Sequence, residues 1–587
     1  MIRPVTGTIL RPAHIEMAGM AARGMMAERI WHHFYDEGVS FEIEPPEDPL
    51  FVQLEKAALE FPQVIATDFM GARLTYRQLA EQVNRFASSL SGIGVEPGDR
   101  IAIMLPNCPQ TIIAYYAALS IGAVVVMTNP MYVEREMAHQ FSDAGVKVLV
   151  GLDHLIPRIE KVWKETPVEQ LIITSIRDCL PFPLNVLYPL KARKQKLNLR
   201  VPYGESVHSF KRLVKNSPGN PPRPEVAMDD LAVLQYTGGT TGIAKGAMLT
   251  HRNLMANVIQ LMAWCPLKRG QERILCVAPF FHVLGMTVLM NHSVCCCGSM
   301  ILLPRFEINN LLKTTVKARP TIAVLVPTIF TAMVNYPEIS RFDISSLNYC
   351  FSGSAPLPVE IMNQFEEITG GIIFEAYGLT EASPVTHANP IKGERKPGSV
   401  GIALPSTDAR VMDLESGTRE MPVGEPGELV VKGPQVMSGY WNMEEESAET
   451  LRDGWLYTGD IAYMDADGYV FIVDRKKDMI IAGGYNVYPR EIDEVLYEHP
   501  KIADAVSIGV PDAYRGETVK VFVVVKPEET LTEEEVIAHC KDKLAAYKVP
   551  RMVEFRQELP KSMVGKVLRK ELRAEESRTI EGEGAPG

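Results

Sequence analysis

The chain has 587 residues, with 60 Lys and Arg against 72 Asp and Glu, so its formal net charge is −12. Hydrophobic residues make up 46% of the chain and charged residues 22%, a balance typical of globular proteins that excludes wholesale disorder. The acidic excess argues against nucleic-acid binding, which relies on clustered Lys and Arg.

Residues 1–45 are predicted to form an N-terminal arm of uncertain structure. The cysteines indicate a reducing compartment. The arm has no continuous apolar core of the kind found in a secretory signal. The nine cysteines, three of them adjacent at Cys295, Cys296 and Cys297, match neither a metal spacing nor a disulfide framework. We therefore expect a cytoplasmic protein.

Strand-like and helix-like segments alternate between residues 97 and 150. RIAIML, AVVVMT and VKVLVGL are predicted to be buried strands, and residues 110–121 and 133–144 are predicted to be helices. This alternation implies right-handed crossovers and a parallel sheet covered on both faces. The pattern recurs around TIAVLVPTIF and GGIIFEAYG.

The pattern changes near residue 401 and again near residue 475. GELVVKG and GYVFIVD predict antiparallel β structure. Helix-like EIDEVLYEH and TEEEVIAHCKDKLAAY then flank strand-like VKVFVVV, which predicts a small α+β domain. The predicted fold is thus α/β, with a large domain of layered parallel sheets plus a β subdomain over residues 46–474, a small mobile α+β domain over 475–575, and a frayed acidic tail over 576–587.

A Gly- and Thr-rich segment follows the strand-like residues 231–236. It consists of Thr237, Gly238, Gly239, Thr240, Thr241, Gly242, Ile243, Ala244, Lys245 and Gly246. Glycines let successive N–H groups converge, hydroxyls add donors and the lysine adds charge, which together suit a polyphosphate. The P-loop is excluded, because Gly242 precedes Ile and Lys245 precedes Gly. A flexible turn between two strands is the alternative interpretation.

This segment and five later motifs resemble those of the adenylate-forming superfamily, in the form found in long-chain fatty-acid CoA ligases. The later motifs are Tyr377-Gly378-Leu379-Thr380-Glu381, Tyr457-Thr458-Gly459-Asp460, Asp474-Arg475-Lys476-Lys477-Asp478, GGYNVYPREIDEVL from Gly483, and Pro560-Lys561-Ser562-Met563-Val564-Gly565-Lys566. They occur in the family's order from about residue 50 to 575, which is nearly the whole chain.

The resemblance implies an ATP- and Mg²⁺-dependent ligase. It would join a medium- or long-chain fatty acid to AMP, release pyrophosphate, and pass the acyl group to coenzyme A. The alternatives are a CoA ligase for aryl or other acids, a fatty acyl-AMP ligase, and a peptide-synthetase adenylation domain. A non-catalytic adenylate-binding protein is the alternative from another class, although Glu381, Asp460, Arg475 and Lys566 are all present.

The resemblance also assigns roles to individual residues. The segment from Thr237 to Lys245 would hold the β- and γ-phosphates, and Thr237 and Glu381 would bind Mg²⁺, an ion that prefers hard oxygen ligands. The nucleotide would lie between Tyr377 and the Gly353-Ser354-Ala355 turn, beside Gly378 and Thr380. Asp460 and Arg475 would bind the ribose. Taken alone, Glu381 and Arg475 are ordinary surface charges, Tyr377 a core residue and Asp460 a turn residue.

The remaining roles concern the acyl group and the motion of the small domain. Lys566 would reach the carboxylate and α-phosphate during adenylation, although a lysine on a loop is ordinarily solvated. Lys477 would be the hinge, and Gly483 and Gly484 would let the pantetheine arm pass. His282 would lie near the acyl carboxylate, although a histidine among aromatic residues is usually a core residue.

The predicted acyl pocket involves residues 281–286, Val326-Pro327-Thr328 and Gly378. Met286 occupies the position where some long-chain relatives carry a tryptophan gate. Residues 180–196, LPFPLNVLYPLKARKQK, combine an apolar stretch with basic residues and predict contact with the inner face of an anionic membrane; an ordinary surface loop is the alternative. A homodimer is a further expectation.

Overall fold

The computed structural model describes residues 29–44, 46–237, 244–355, 357–482, 485–512, 515–562 and 567–583. Of the predicted arm, residues 29–44 pack on the large domain. Trp31, in the 3₁₀ helix Ile30–Phe34, is buried. The Tyr35 hydroxyl donates to Ala403 O at 2.6 Å.

The first part of the large domain contains nine strands and eight α-helices in its described residues. Its strands are β1 (Ile65–Phe69), β2 (Ala72–Thr75), β3 (Arg100–Met104), β4 (Val124–Met127), β5 (Val146–Leu152), β6 (Gln170–Thr174), β7 (Val207–Ser209), β8 (Leu231–Thr237) and β9 (Lys245–Thr250). Its helices are α1 (Val52–Glu60), α2 (Tyr76–Gly92), α3 (Pro109–Ser120), α4 (Glu134–Ala144), α5 (Ile156–Trp163), α6 (Leu184–Lys194), α7 (Phe210–Asn216) and α8 (His251–Trp264).

Seven of these strands form a sheet in the order β7-β6-β5-β3-β4-β8-β9. All neighbouring pairs are parallel except β8 and β9. Helix α3 is buried along its whole length, which explains why its sequence is apolar on every side. Helix α2 begins with a capping box formed by Thr75 and Gln78. The alternation predicted for residues 97–150 is confirmed.

A second sheet continues the layered arrangement. Its further strands are β10 (Arg273–Cys276), β11 (Ser299–Leu302), β12 (Ile322–Leu325), β13 (Tyr349–Ser352), β14 (Ile372–Gly378), β15 (Val385–Ala388) and β16 (Ile402–Ala403). The sheet has the order β16-β15-β14-β13-β12-β10-β11-β1-β2. Its helices are the π-helix Leu284–Asn291, α9 (His292–Cys295), α10 (Ile308–Ala318), α11 (Pro327–Val334) and α12 (Val359–Thr369).

An antiparallel β subdomain follows, as the sequence predicts. It contains β17 (Asp408–Met412), β18 (Gly427–Lys432), helix α13 (Glu444–Thr450), β19 (Leu451–Arg452), β20 (Trp455–Met464) and β21 (Val470–Arg475). The strands form one sheet in which β20 pairs with β18, β19 and β21.

The C-terminal domain is small and combines helices with a mainly antiparallel sheet. Its elements are β22 (Ile480–Ala482), β23 (Tyr485–Val487), α14 (Pro489–Tyr497), β24 (Ile502–Asp512), β25 (Gly516–Val525), α15 (Glu533–Lys541), β26 (Met552–Phe555) and α16 (Arg569–Glu583). Among the described residues of this domain, β25 and β26 pair in parallel and the other strand pairs are antiparallel. The fold class predicted from the sequence, two layered sheets with a β subdomain and an α+β domain, is confirmed.

Two local predictions at the C-terminal end are wrong. The helix expected over residues 532–547 ends at Lys541, and Leu544 and Tyr547 pack on the small-domain core from turns. The tail expected to be frayed from residue 576 is instead helical to Glu583. The acidic side chains at its start form ion pairs, since Glu576 pairs with Lys520 at 2.6 Å and the preceding Glu575 with Arg556 at 2.9 Å.

No helix in the described ranges is both long and apolar enough to cross a membrane.

Candidate active site

A cavity of about 700 Å³ lies where the ends of β8 and β14 meet the β subdomain. Most of the predicted site residues that the structure describes line it. They are Thr237, Lys245, His282, Gly353, Ser354, Tyr377, Gly378, Thr380, Glu381, Arg475 and Lys477. These residues are spread over 241 positions of sequence, so the fold gathers separate motifs into one chamber.

The Gly- and Thr-rich segment connects two antiparallel strands. Thr237 ends β8, Lys245 begins β9, and the two residues are paired in register. Thr237 and Lys245 both line the cavity, so the connection leaves and re-enters the sheet at the cavity wall. The predicted residues Gly238, Gly239, Thr240, Thr241 and Gly242 lie outside the described residues.

Glu381 is held at the cavity wall by a tyrosine from the β subdomain. The Tyr440 hydroxyl donates to Glu381 Oε1 at 2.7 Å, and Met437 N donates to the Glu381 carbonyl at 2.8 Å. Burial and this carboxylate raise the pKa of Tyr440, which keeps its hydroxyl a donor. The other carboxylate oxygen, Oε2, has no hydrogen-bond donor in the described part of the chain and is available to a cation.

Lys245 lies beside the same tyrosine. Its ammonium is 5.3 Å from the centre of the Tyr440 ring and forms an ion pair with Glu446. The Tyr440 segment is fixed because Trp441 N donates to Gly246 O at 2.8 Å and Met248 N donates to Gly439 O at 2.9 Å. Lys245 and Glu381 thus both contact Tyr440, and all three residues line the cavity.

A second group of contacting residues consists of Tyr377, Asp460 and Arg475. The Tyr377 hydroxyl donates to Asp460 Oδ2 at 2.6 Å, and Arg475 Nε lies 3.0 Å from Asp460 Oδ1. Desolvation and the Asp460 charge raise the pKa of Tyr377, and Asp460 raises that of Arg475. Asp460 is almost fully buried, so its carboxylate is fixed in place before any ligand binds.

Lys476 and Lys477 continue the wall beyond strand β21. Lys476 pairs with Glu428 at 2.9 Å, and its backbone N–H donates to Gly459 O at 2.9 Å. Lys477 makes no ion pair among the residues with described side chains. Desolvation at the cavity wall, and then the Arg475 charge, lower the pKa of Lys477 to about 8.

Close packing explains the glycine in the Tyr377-Gly378-Leu379-Thr380-Glu381 motif. A Cβ atom at Gly378 would lie 2.0 Å from Pro384 O, so a side chain there would displace the backbone that carries Glu381. Gly353 and Ser354 line the cavity on another side, whereas their neighbour Ala355 does not line it.

The predicted acyl pocket is only partly reproduced in this cavity. His282, Val283 and Leu284 line it, but Met286 and Val326-Pro327-Thr328 do not. Met286 is fully buried, because it lies within the π-helix that packs into the core. The backbone before His282 is fixed by Asn107, whose side chain accepts from Phe280 N at 2.8 Å and donates to Ala278 O at 2.9 Å.

Three further predicted residues, Gly483, Gly484 and Lys566, lie outside the described residues. Conversely, two residues that line the cavity, Tyr440 and Glu428, were not predicted from the sequence. Both act through contacts with residues distant in the chain, and neither lies in a motif. The one sequence feature that could have drawn attention to Tyr440 is the preceding glycine, Gly439, which indicates a turn.

The arrangement suits a nucleotide polyphosphate with a divalent cation. Mg²⁺ is usually bound by one or two carboxylates together with substrate phosphates rather than by an all-protein cage. Glu381 provides such a carboxylate, and no group of three or more His, Cys, Asp or Glu side chains suited to a metal ion occurs in the described ranges. Lys245, Arg475 and Lys477 place cations at the cavity; Lys245 is paired with Glu446 and Arg475 with Asp460.

Comparisons with known proteins agree with this geometry. The family described as AMP-binding enzyme matches residues 54–441, and the AMP-binding enzyme C-terminal domain matches residues 491–566. The long-chain-fatty-acid–CoA ligase of Bacillus subtilis (strain 168) is 48% identical over 94% of this chain and 99% of its own. A ligase of the same name from Escherichia coli O6:H1 is 39% identical over 93% of this chain and 98% of its own.

A solved structure has the same architecture. The crystal structure of ATP-bound MatB from Rhodopseudomonas palustris superposes with a TM-score of 0.80, at 31% identity, over 90% of this chain and 99% of that protein. The first family match alone covers well over half of the chain, and it includes Thr237, Lys245, Tyr377 and Glu381 of the cavity wall. The chain therefore belongs to the family of AMP-binding enzymes.

Proposed function

We propose that this protein is an ATP-dependent long-chain-fatty-acid–CoA ligase. It activates a fatty acid to acyl-AMP with release of pyrophosphate, and then forms acyl-CoA with release of AMP. The observation that carries the proposal is the convergence of Thr237, Lys245, Glu381, Tyr377 and Arg475 on one cavity. Relatives that bear this name, at up to 48% identity over nearly the whole chain, support the substrate class.

In the first half-reaction, a fatty carboxylate attacks the α-phosphate of ATP. The reaction brings two anions together, so it depends on positive charge and fixed dipoles more than on a nucleophile of the protein. Lys245 and the Gly238–Gly242 segment would hold the β- and γ-phosphates, which leave as pyrophosphate. Tyr377 would stack on the adenine, and Asp460 would accept hydrogen bonds from the ribose hydroxyls.

Glu381 and Thr237 would hold Mg²⁺ at the phosphates. The cation would neutralise charge that develops on the departing pyrophosphate. Tyr440 would orient the Glu381 carboxylate through its hydrogen bond. His282 would lie next to the acyl carboxylate, and Lys566 would bring an ammonium group to the same place, because a flexible lysine can reach between two domains.

In the second half-reaction, the coenzyme A thiol attacks the acyl-adenylate carbonyl. The small domain would rotate about Lys477, which follows the last strand of the β subdomain, and remove Lys566 from the site. Gly483 and Gly484 would then line the path of the pantetheine arm. Arg475 precedes the proposed hinge at Lys477 in the chain, so it would stay with the nucleotide during the rotation.

A pyrophosphate-release assay with acids from acetate to oleate, and with benzoate and ferulate, tests the proposal. We expect release to rise with chain length, because each buried methylene is worth about 0.8 kcal/mol, and to require Mg²⁺. Coenzyme A should convert the product to a thioester. Release without thioester formation would indicate a fatty acyl-AMP ligase, a preference for benzoate or ferulate an aryl-CoA ligase, and no AMP from any acid a binding protein.

Two variants show whether the activity comes from this cavity. Asp460→Asn keeps the shape of the side chain but removes the charge that pairs with Arg475, and it should raise the KM for ATP. Asp413→Asn is a matched control. Asp413 also accepts several hydrogen bonds in the β subdomain, but its partners Ser416, Thr418 and Arg419 do not line the cavity. Asp460, in contrast, contacts Tyr377 and Arg475, which do line it. The Asp413 substitution should therefore leave the KM for ATP unchanged.

We also propose that the enzyme works in the cytoplasm and contacts the inner face of an anionic membrane through residues 180–196. Phe182 is 82% exposed and Leu190 67% exposed, and Leu184, Val186 and Leu187 are exposed nearby. Helix α6 ends in basic residues, and each can contribute about 1 kcal/mol at an anionic surface.

Flotation with phosphatidylglycerol and phosphatidylcholine vesicles tests this contact. Leu187→Ser with Leu190→Ser should abolish flotation on anionic vesicles, whereas Leu59→Ser, which removes a side chain that is 82% exposed elsewhere, should not. Equal flotation of all variants would refute the assignment to α6. The homodimer expected from the sequence stays a proposal as well, and sedimentation velocity of the purified protein tests it.

A further inference from the structure

A second cavity, of about 420 Å³, lies outside the active site. It is bounded by strand β2, the beginning of helix α3, the segment after β6 and helix α7. Its volume falls within the range of about 300 to 1,000 Å³ that is usual for small-molecule sites. It shares no lining residue with the active-site cavity, and none of the sequence motifs contributes to it.

The wall of this cavity is largely apolar. Ile113 and Phe210 are almost fully buried, and Leu74, Leu180 and Val214 contribute further apolar surface. The Phe210 ring stacks on Phe86 with 4.3 Å between ring centres, so this wall is fixed from behind. Such a chamber favours an alkyl chain over a polar ligand.

The rim carries more positive than negative charge. Arg73, Lys211 and Lys215 line the cavity together with a single carboxylate, Asp178. Arg73 is paired with Asp68 at 2.7 Å and Lys211 with Asp178 at 3.2 Å, whereas Lys215 makes no ion pair in the described part of the chain. An anionic head group at the mouth would therefore find a cation without a partner.

One polar group of the wall is unsatisfied. Gln110 is 2% exposed and lines the cavity. Its amide nitrogen donates to Thr174 Oγ1 and to Ser175 O, both at 3.2 Å, but its oxygen has no hydrogen-bond partner. Because Ser175 O can only accept, the amide orientation is fixed and the free atom is the acceptor. Buried acceptors of this kind ordinarily have a partner, so this part of the wall can take a hydrogen-bond donor.

We propose that this cavity is a second binding site for a long-chain fatty acid, separate from the active site. The alkyl chain would occupy the space between Ile113, Leu180 and Phe210, with the carboxylate at Lys215. Because an ionised carboxylate has no proton to donate, a water molecule bound beside it would be the donor to Gln110 Oε1. Leu180 directly precedes the exposed apolar segment that contains Phe182 and Leu190, so a fatty acid on that surface would have a continuous apolar route into the cavity.

Equilibrium dialysis of the full chain with radiolabelled palmitate, without ATP, tests the inference. A non-hydrolysable palmitoyl-adenylate analogue is added in excess to fill the active site, and its own stoichiometry is measured. We expect one equivalent of palmitate to remain bound. If the analogue does not bind but this equivalent persists, the proposed function fails, and the second site stands only if Val214→Trp removes the equivalent. If the analogue binds and displaces all palmitate, the second site is refuted.

Variants identify the cavity. Val214→Trp fills it and should abolish the additional equivalent, whereas Val316→Trp, at an exposed position of helix α10, should retain it. Lys215→Glu, at an exposed position that folding does not depend on, should weaken palmitate binding about threefold to tenfold, and Lys313→Glu should not. Binding unaffected by both Val214→Trp and Lys215→Glu would overturn the assignment to this cavity.

Competing ligands define the chemistry. Affinity should increase by up to about fourfold per methylene from octanoate to palmitate, and hexadecanol should compete less well than palmitate. Equal competition by hexadecanol would overturn the role of the cationic rim. Phosphatidylglycerol vesicles that displace the label as well as palmitate does would indicate a phospholipid chain and refute a free-fatty-acid site.

Discussion

Replacing Tyr440 with phenylalanine removes one oxygen atom from the wall of the active site. The lost hydroxyl donates to Glu381 Oε1 at 2.7 Å, and Glu381 is the carboxylate that we propose for Mg²⁺. The ring stays in place, because Tyr440 N is held by Ser447 Oγ at 2.8 Å and the neighbouring Trp441 N by Gly246 O. The change therefore affects the orientation of one carboxylate and little else.

The size of the effect follows from the charge of the acceptor. A hydrogen bond to a charged group is worth about 1.5 to 3 kcal/mol, and every 1.4 kcal/mol corresponds to a factor of ten. Residues that orient a metal ligand typically account for about 10- to 100-fold in metal affinity or activity. We expect Tyr440→Phe to lower kcat/KM for adenylation by about 10- to 100-fold and to shift the Mg²⁺ dependence to higher concentrations.

Pyrophosphate release measured over a Mg²⁺ series, at saturating ATP and fatty acid, gives both quantities. Tyr457→Phe is the matched control, because Tyr457 also lines the cavity and its hydroxyl donates at 2.7 Å, but to the backbone of Gly417. Its Mg²⁺ dependence should equal that of the unmodified enzyme. If Tyr440→Phe loses activity at all Mg²⁺ concentrations alike, the hydroxyl does not act through a metal ligand.

Three further predictions concern the small domain and its connection. Lys566→Ala should abolish acyl-adenylate formation but leave thioester formation from supplied adenylate, and equal loss of both half-reactions would contradict the role of Lys566. Lys477→Pro fixes φ at the proposed hinge and should slow thioester formation much more than adenylation; an unchanged ratio of the two rates would remove the hinge role. Because only the neutral amine reacts, trace acetylation of Lys477 should increase as pH rises through about 8, the value to which its pKa is lowered, and a labelling midpoint above 10 would contradict this environment.

Much of the fold was predictable because its signals are local. Strands β3, β4 and β5 are buried on both faces and so appear as continuous apolar runs between helix-length segments. The ion pairs of helix α16 were not predictable in this way. Glu575 and Glu576 look solvated in the sequence, but cations on β25 and after β26 pair with them in the folded domain.

The contacts in the site also differ in how far the sequence predicts them. Asp460 and Arg475 belong to separate motifs, yet their pairing across β20 and β21 follows once both are recognised as strand residues of one hairpin. Tyr440 lies 59 positions from the carboxylate that it contacts, and Asn107 lies 173 positions from Phe280. Neither contact leaves a periodic or spaced pattern in the sequence, because only the tertiary fold brings the partners together.

The contacts on either side of Lys477 indicate which interactions a rotation of the small domain would exchange. Asp474 accepts a hydrogen bond from Arg490 N at 2.7 Å and lies 4.0 Å from the Arg569 guanidinium. Arg569 also pairs with Asp493 at 2.5 Å, and both of these residues follow Lys477 in the chain. A rotation at Lys477 would thus preserve the Arg569–Asp493 pair and separate both from Asp474. Burial raises the pKa of Asp474, so its charge is desolvated in the present arrangement. Since separation would return that carboxylate to water, hydration would offset part of the lost attraction and so lower the free-energy cost of the rotation that the proposed half-reactions require.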